Sequence, residues 1–212
     1  MRRQVVKDTQ TAILDRCLRL FADKGYAGTS MRDIAREMDL SVAAVYHHFP
    51  SKRDLYGAVA SHAFRDKKPA LLAAISGHGP AEERLRSLMR RYAELVSDDP
   101  VFHRFFQREL LDADEQRLQL LAKNFFYEAY AEIQDLIREV APSFDPYMFL
   151  TSMFAMVMYH YQLGNMHNYL PGVPNRVNDP AYVTDHVMRM ISEGLGQQQT
   201  AANETVNVVS FR

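Results

Sequence analysis

Apolar positions along this chain recur at three- and four-residue intervals, the period of an amphipathic helix, and no run alternates in the two-residue rhythm of a strand. Ile13, Leu14, Cys17, Leu18 and Phe21 form the first stripe and predict a helix over about 7–24, which Gly25 stops. Ile34, Ala35 and Met38 mark a shorter second helix, and Val45 and Phe49 face inward from a third at about 42–48. Leu55, Val59 and Phe64 predict a fourth, running from Lys52 into the 60s until Pro69 interrupts it. Proline removes a helical hydrogen bond and bends the axis, so residues 65–69 read equally as a joint or as the gap before a new helix at 70–75. Beyond residue 78, Asp99-Pro100, Asp145-Pro146 and Asp179-Pro180 each have the form of an N-cap followed by proline at the first helical position. They divide the remainder into helices near 81–97, 100–112, 115–141, 146–168 and 180–195, a loop over 169–179, and a polar tail over 197–212 read as disordered. The fold class is all-α.

Start signals sharpen the picture between residues 29 and 55. Ser30-Met31-Arg32-Asp33 has the form of a capping box, in which hydroxyl and carboxylate satisfy backbone N–H groups left unpaired in the first turn. Asp39 sits where the chain must reverse, and aspartate tolerates a left-handed backbone better than most residues. Ser41 caps the third helix, and Ser51-Lys52-Arg53-Asp54 repeats the capping form at the fourth. Two short helices joined by a tight turn make a helix-turn-helix, whose second helix can enter the roughly 12 Å wide major groove of DNA. The small side chains of Ala43 and Ala44 let that helix's first turn approach a groove, while Tyr46, His47 and His48 reach outward. His48 and Tyr46 serve equally to close a small core over Phe49.

Thr29, Ile34-Ala35, Leu40-Ser41, Tyr46-x-His48-Phe49 and Ser51-Lys52-x-x-Leu55 resemble the N-terminal DNA-binding signature of the TetR/AcrR family of transcriptional regulators, over residues 9–56. Asp39 stands where that family usually has Gly, and Ala43 where it often has Gly or Pro. The resemblance implies a helix-turn-helix domain at 1–51 and a helical ligand-binding and dimerisation domain at 52–196, with 52–68 as the linking helix. It also implies a homodimer that represses from a palindromic operator and leaves when a small effector binds. Thr29 and Ser30 are then assigned to the helix start and phosphate, Arg32, Ser41, Tyr46 and Lys52 to the DNA backbone, and Val42, Ala43, Ala44 and His47 to the bases.

Charge supports this division. The whole chain carries −1, but residues 1–68 hold 13 Lys and Arg against 8 Asp and Glu, or +5, and residues 69–212 hold 12 against 18, or −6. Only the first part has the footprint of a phosphate binder. The single Cys17 excludes an intrachain disulfide and, lying on an apolar stripe, reads as a small buried hydrophobe. With no apolar run of signal-peptide type after Met1, a cytoplasmic location is expected.

In the acidic part, Thr151, Ser152 and His160 alone break the apolar run over 147–161, which falls short of the roughly 20 residues a bilayer requires. A helix buried by its own domain on one face and by a second subunit on another fits better, so the homodimer is expected through the helices near 146–168 and 180–195. Phe102, Phe105, Phe106, Phe125, Phe126, Tyr127 and Tyr130 cluster on the middle helices, with Met153, Met156 and Met158 able to face them. These line an adaptable pocket for an apolar or amphipathic effector, or fill a core. Candidate orienting groups are His103, Arg108, Glu109, Tyr127, His160 and His167. His160 and His167, seven apart, are too widely spaced for joint metal ligation within one helix, and no cofactor is expected. With no Gly-rich phosphate loop and no nucleophile elbow, an enzyme is not expected. The other class that fits is a helical protein-interaction or architectural module without sequence-specific DNA binding.

Overall fold

The computed structural model describes the backbone of residues 2–209 and the side chains of residues 10–164 and 166–194. Among the described residues every regular element is a helix: α1 (Arg2–Lys24), α2 (Met31–Glu37), α3 (Val42–His48), α4 (Lys52–Phe64), α5 (Lys67–Ile75), α6 (Ala81–Asp98), α7 (Pro100–Asp112), α8 (Glu115–Leu121), α9 (Tyr127–Val140), α10 (Pro146–Leu163) and α11 (Pro180–Val209). A π-helical segment, Ala122–Phe126, joins α8 to α9, and a 3-10 turn, Gly164–Tyr169, follows α10.

The chain packs as two compact units. The first contains residues up to Ala70 together with Asp98–Ala129, and the second contains Leu71–Ser97 with the residues from Tyr130 on. Within the first unit α7 lies along α1 and brings a later segment back to the N-terminal helices.

In the first unit α1 is the spine. Ile13, Cys17 and Phe21 are completely buried, and α1 packs against α2, α4 and α7. From α4, Leu55, Tyr56, Val59, Ala60, Ala63 and Phe64 face this core, and Phe102 and Phe105 of α7 complete it. The second unit buries Leu85, Leu88, Met89 and Tyr92 of α6, Ile133, Leu136 and Ile137 of α9, Phe149, Leu150, Met153 and Val157 of α10, and Val183, Val187 and Met188 of α11.

Four local differences from the sequence pattern have physical causes. Pro69 falls in the first turn of α5, where a missing N–H costs no helical bond, so the gap between the two helices is residues 65–66 and the second begins at Lys67, not at 70. The single helix expected over 115–141 is interrupted by the wider π-helical turn at Ala122–Phe126. The helix expected over 146–168 ends at Leu163, because Gly164 turns the chain with φ +49°. Finally, α11 continues to Val209 where a disordered tail is expected from 197; Gln, Ala and Glu there are helix-compatible residues. No helix among the described residues is long and apolar enough to cross a membrane.

Burial pushes the Cys17 thiol up to about 12. Cys17 is therefore expected to stay unmodified by iodoacetamide at pH 8 in the folded protein and to be alkylated quantitatively in denaturant, read by mass spectrometry. Alkylation of the folded protein at the rate of a free thiol would contradict this burial.

Candidate nucleic-acid interface

Three serine caps build the site. Ser30 Oγ accepts the Asp33 N–H at 3.1 Å while the Asp33 carboxylate accepts the Ser30 N–H at 2.9 Å, a complete capping box at α2. The Ser30 hydroxyl, which donates to the Asp33 carboxylate at 2.5 Å, and the Ser30 N–H, with Arg36 alongside, hold the Asp33 carboxyl below its usual range. Asp39 follows in the left-handed conformation, φ 54°, and the Leu40 N–H closes the turn by donating to the Ala35 carbonyl at 2.9 Å. Ser41 Oγ accepts the Ala44 N–H at 3.1 Å to start α3, and Ser51 Oγ accepts the Asp54 N–H at 3.1 Å to start α4.

Val45, fully buried, and Phe49, 4% exposed, fix how α3 is rolled. Consequently Val42, Ala43, Tyr46 and His47 stand exposed on one helical face, with Tyr46 47% exposed and Ala44 half-buried at the edge. Ser30, Arg32 and Ser41 are exposed as well. His48 is half-buried, its ring 6.5 Å from Phe49, and closes the core. Thr29 is placed differently from its assignment. It is 1% exposed and its hydroxyl donates to the Gly25 carbonyl at 2.9 Å, so it secures the turn after α1 and has no free face for phosphate.

Lys52 is half-buried, with its ammonium 4.1 Å from the centre of the Tyr26 ring. Burial first, and the Arg117 charge second, lower its pKa. Neither Tyr26 nor Arg117 stood out in the sequence. Tyr26 lies just past the Gly25 stop, and Arg117 is on α8, so only the packing of α8 into the first unit shows that they meet Lys52.

The expected effector groups are divided between the two units. Phe102, Phe106 and Phe126 gather around Phe64 of α4, at ring distances of 4.9, 6.1 and 5.5 Å, with Phe125 stacked on Phe64 at 4.5 Å. Tyr127 is 79% exposed, one position past the π-helical segment, and points to solvent. Tyr130, Met156 and His160 belong to the second unit. There Gln134 donates to the Tyr130 hydroxyl at 2.8 Å, and the His160 imidazole donates to the Val177 carbonyl at 2.7 Å. Arg108 pairs with neither Glu109 nor Asp112 but donates to the Asp23 carbonyl at 3.1 Å, and the buried Glu109 carboxylate accepts from Arg117 at 2.7 Å. The turn at Gly164 carries His167 to a ring distance of 4.9 Å from His160, which the seven-residue spacing on a continuous helix does not allow. No group of three or more His, Cys, Asp or Glu among the described residues is arranged to hold a metal ion.

Together the fold and the capped, outward-facing α3 define a helix-turn-helix protein with an all-helical body. Residues 13–59 match the model of the bacterial regulatory proteins of the tetR family. The biofilm operon icaADBC HTH-type negative transcriptional regulator IcaR of Staphylococcus aureus (strain Newman) is 43% identical over 44 residues, 21% of this chain and 24% of its own. The HTH-type regulator YuxN of Bacillus subtilis (strain 168) is 30% identical over 101 residues, 48% of this chain and 33% of its own. The chain thus spans a quarter to a third of the length of these curated relatives. Among solved structures, AibR in complex with isovaleryl coenzyme A and operator DNA superposes with a TM-score of 0.67 at 22% identity, covering 86% of this chain and 97% of AibR. PfmR of Thermus thermophilus superposes with a TM-score of 0.64 at 22% identity, covering 84% and 94%. At these identities the likeness establishes the shared helical fold.

His103 of α7 is 8% exposed, and burial, then the neighbouring Arg104 charge, lower its pKa; burial lowers that of His160 too. Both are held neutral when folded, whereas the unfolded chain takes up these protons near pH 6.5. Their contribution to stability is therefore present above that pH and lost as pH falls. The urea midpoint is expected to drop between pH 7.5 and 5.5, and to drop less in His103→Gln; a midpoint that rises on acidification would contradict neutral burial.

Proposed function

We propose that this protein is a DNA-binding transcriptional regulator that grips a palindromic operator as a homodimer and is released by a small apolar or amphipathic effector. The observation that carries this reading is the exposed face of α3, with Val42, Ala43, Tyr46 and His47 turned outward by the burial of Val45 and Phe49. Val42, Ala43, Ala44 and His47 lie nearest the bases, while Ser30, Arg32, Ser41, Tyr46 and Lys52 meet the phosphates. Such a protein works in the cytoplasm, where its operator is, and performs no chemistry on either ligand.

On α10, Tyr147, Met148, Thr151, Ser152, Ala155 and Tyr159 form an exposed face; Tyr147, Met148 and Tyr159 are 55%, 60% and 62% exposed. A second copy covers this stripe and Met190 of α11, which is 52% exposed. Two-fold pairing presents two α3 helices to successive major grooves. Repression, as the printed name of IcaR states for that protein, and effector release, in keeping with the ligand in the AibR complex, complete the reading. The effector must bind the non-DNA geometry better than the DNA geometry, since only differential affinity shifts the equilibrium.

Selection of duplexes from a random pool tests the reading. A palindromic site is expected to emerge; Lys52→Met is expected to weaken all sequences alike and lower the salt slope by about 1, Tyr46→Ala to weaken all sequences alike with the salt slope unchanged, and His47→Ala to change preference among sites. Retention that is weak, salt-labile and indifferent to sequence would instead indicate an architectural module. Light scattering tests the pairing: Met148→Asp with Tyr159→Asp is expected to halve the mass of the native particle, and an unchanged mass would place the interface elsewhere.

A further inference from the structure

Lys52 is not a free surface cation. Its ammonium lies 4.1 Å from the centre of the Tyr26 ring, and the guanidinium carbon of Arg117 lies 4.7 Å from the centre of the same ring. The ring is itself held in place: it meets Tyr56 edge-on at 5.4 Å, and both tyrosines lie 5.9 Å from the buried Phe21 of α1. Arg117 is fixed more firmly still. It donates to Glu109 at 2.7 Å and to Asp112 at 3.2 Å, and lies 3.6 Å from Asp114 at the start of α8. Its side chain is 12% exposed and that of Glu109 is 1% exposed, so this ion pair is shielded from solvent.

We propose that Tyr26 is a positioning residue for the Lys52 phosphate anchor, and that Arg117 ties that anchor to α7 and α8 through the same aromatic ring. The proposal rests on the phosphate role given to Lys52 above. An ammonium on a flexible four-carbon stem ordinarily loses much freedom when it meets a phosphate. Docked on a ring face, it is already restricted, while its N–H groups on the side away from the ring stay available to an anion. Two cations on one ring also repel each other, so the place of Arg117 sets the field that Lys52 feels. Because Glu109 and Asp112 hold Arg117 from α7, a movement of α7 or α8 reaches Lys52 without any contact between those helices and DNA.

A double-mutant cycle with a duplex recovered by selection measures this, with the methylene proton shifts of Lys52 as a second readout. Tyr26→Phe keeps the ring and is expected to preserve both the affinity and the upfield ring-current shift. Tyr26→Leu is expected to abolish that shift and weaken binding by about 2- to 5-fold, and to add nothing in a Lys52→Met background. Removing Arg117 alone strands a buried carboxylate, so Glu109→Gln with Arg117→Gln is used instead and is expected to displace the Lys52 signals. If Lys52→Met weakens binding but Tyr26→Leu adds its full effect to it, the positioning role is overturned while the DNA reading stands. If Lys52→Met leaves affinity and salt slope unchanged, the phosphate role fails and this inference with it. Unmoved Lys52 signals in the Glu109, Arg117 double variant overturn the tie to α7 and α8.

Discussion

The buried stripe of α1 is the constraint on which the first unit depends. Ile13, Cys17 and Phe21 are wholly out of water, and α2, α4 and α7 all pack against the helix that carries them. A packed interior tolerates little change in volume, so this stripe fixes the relative places of three helices that are far apart in the chain. Two consequences follow for function. The capped turn between α2 and α3 is presented on a rigid base, and α7 becomes part of the same unit as the helices expected to meet DNA.

On that base, local chemistry decides which side of α3 faces out. Ser41 starts the helix, Asp39 reverses the chain before it, and Val45 with Phe49 rolls it so that Ala43, Tyr46 and His47 remain in solvent. Placing so few large side chains at the first turn keeps the backbone close to whatever it docks against. The electrostatics match, since the segment holding these helices carries +5 and the remainder −6. The Arg117 cluster is the exception to simple surface charge: its ion pair with Glu109 lies inside the unit, and its guanidinium lies over the Tyr26 ring.

Much of the helical plan is legible in the sequence because the signals are local. The capping box at Ser30, the Ser41 and Ser51 caps, the Asp39 reversal and the Asp-Pro starts at Asp99 and Asp145 each involve residues within one turn, and all appear in the structure. What was not legible depends on tertiary placement. Thr29 belongs to a motif that suggests phosphate contact, but its hydroxyl is turned inward to Gly25. The pairing of His160 with His167 requires the chain to bend at Gly164, and periodicity assumes a continuous helix. Tyr127 reads as one more ring of an aromatic cluster until the π-helical segment shifts the register and leaves it exposed. Likewise, nothing near Lys52 in the chain reveals that Arg117 meets the same aromatic ring.

The central claim is that one outward face of α3, flanked by the capped starts of α2 and α4, is the surface that meets duplex DNA. Backbone amide NMR during titration with a selected duplex addresses this most directly. The account predicts the largest shifts at Ser30 to Arg32, Ser41 to His47 and Ser51 to Lys52, with the amides of Ile13, Cys17 and Phe21 little changed. Saturable binding that leaves the α3 amides unperturbed would contradict it.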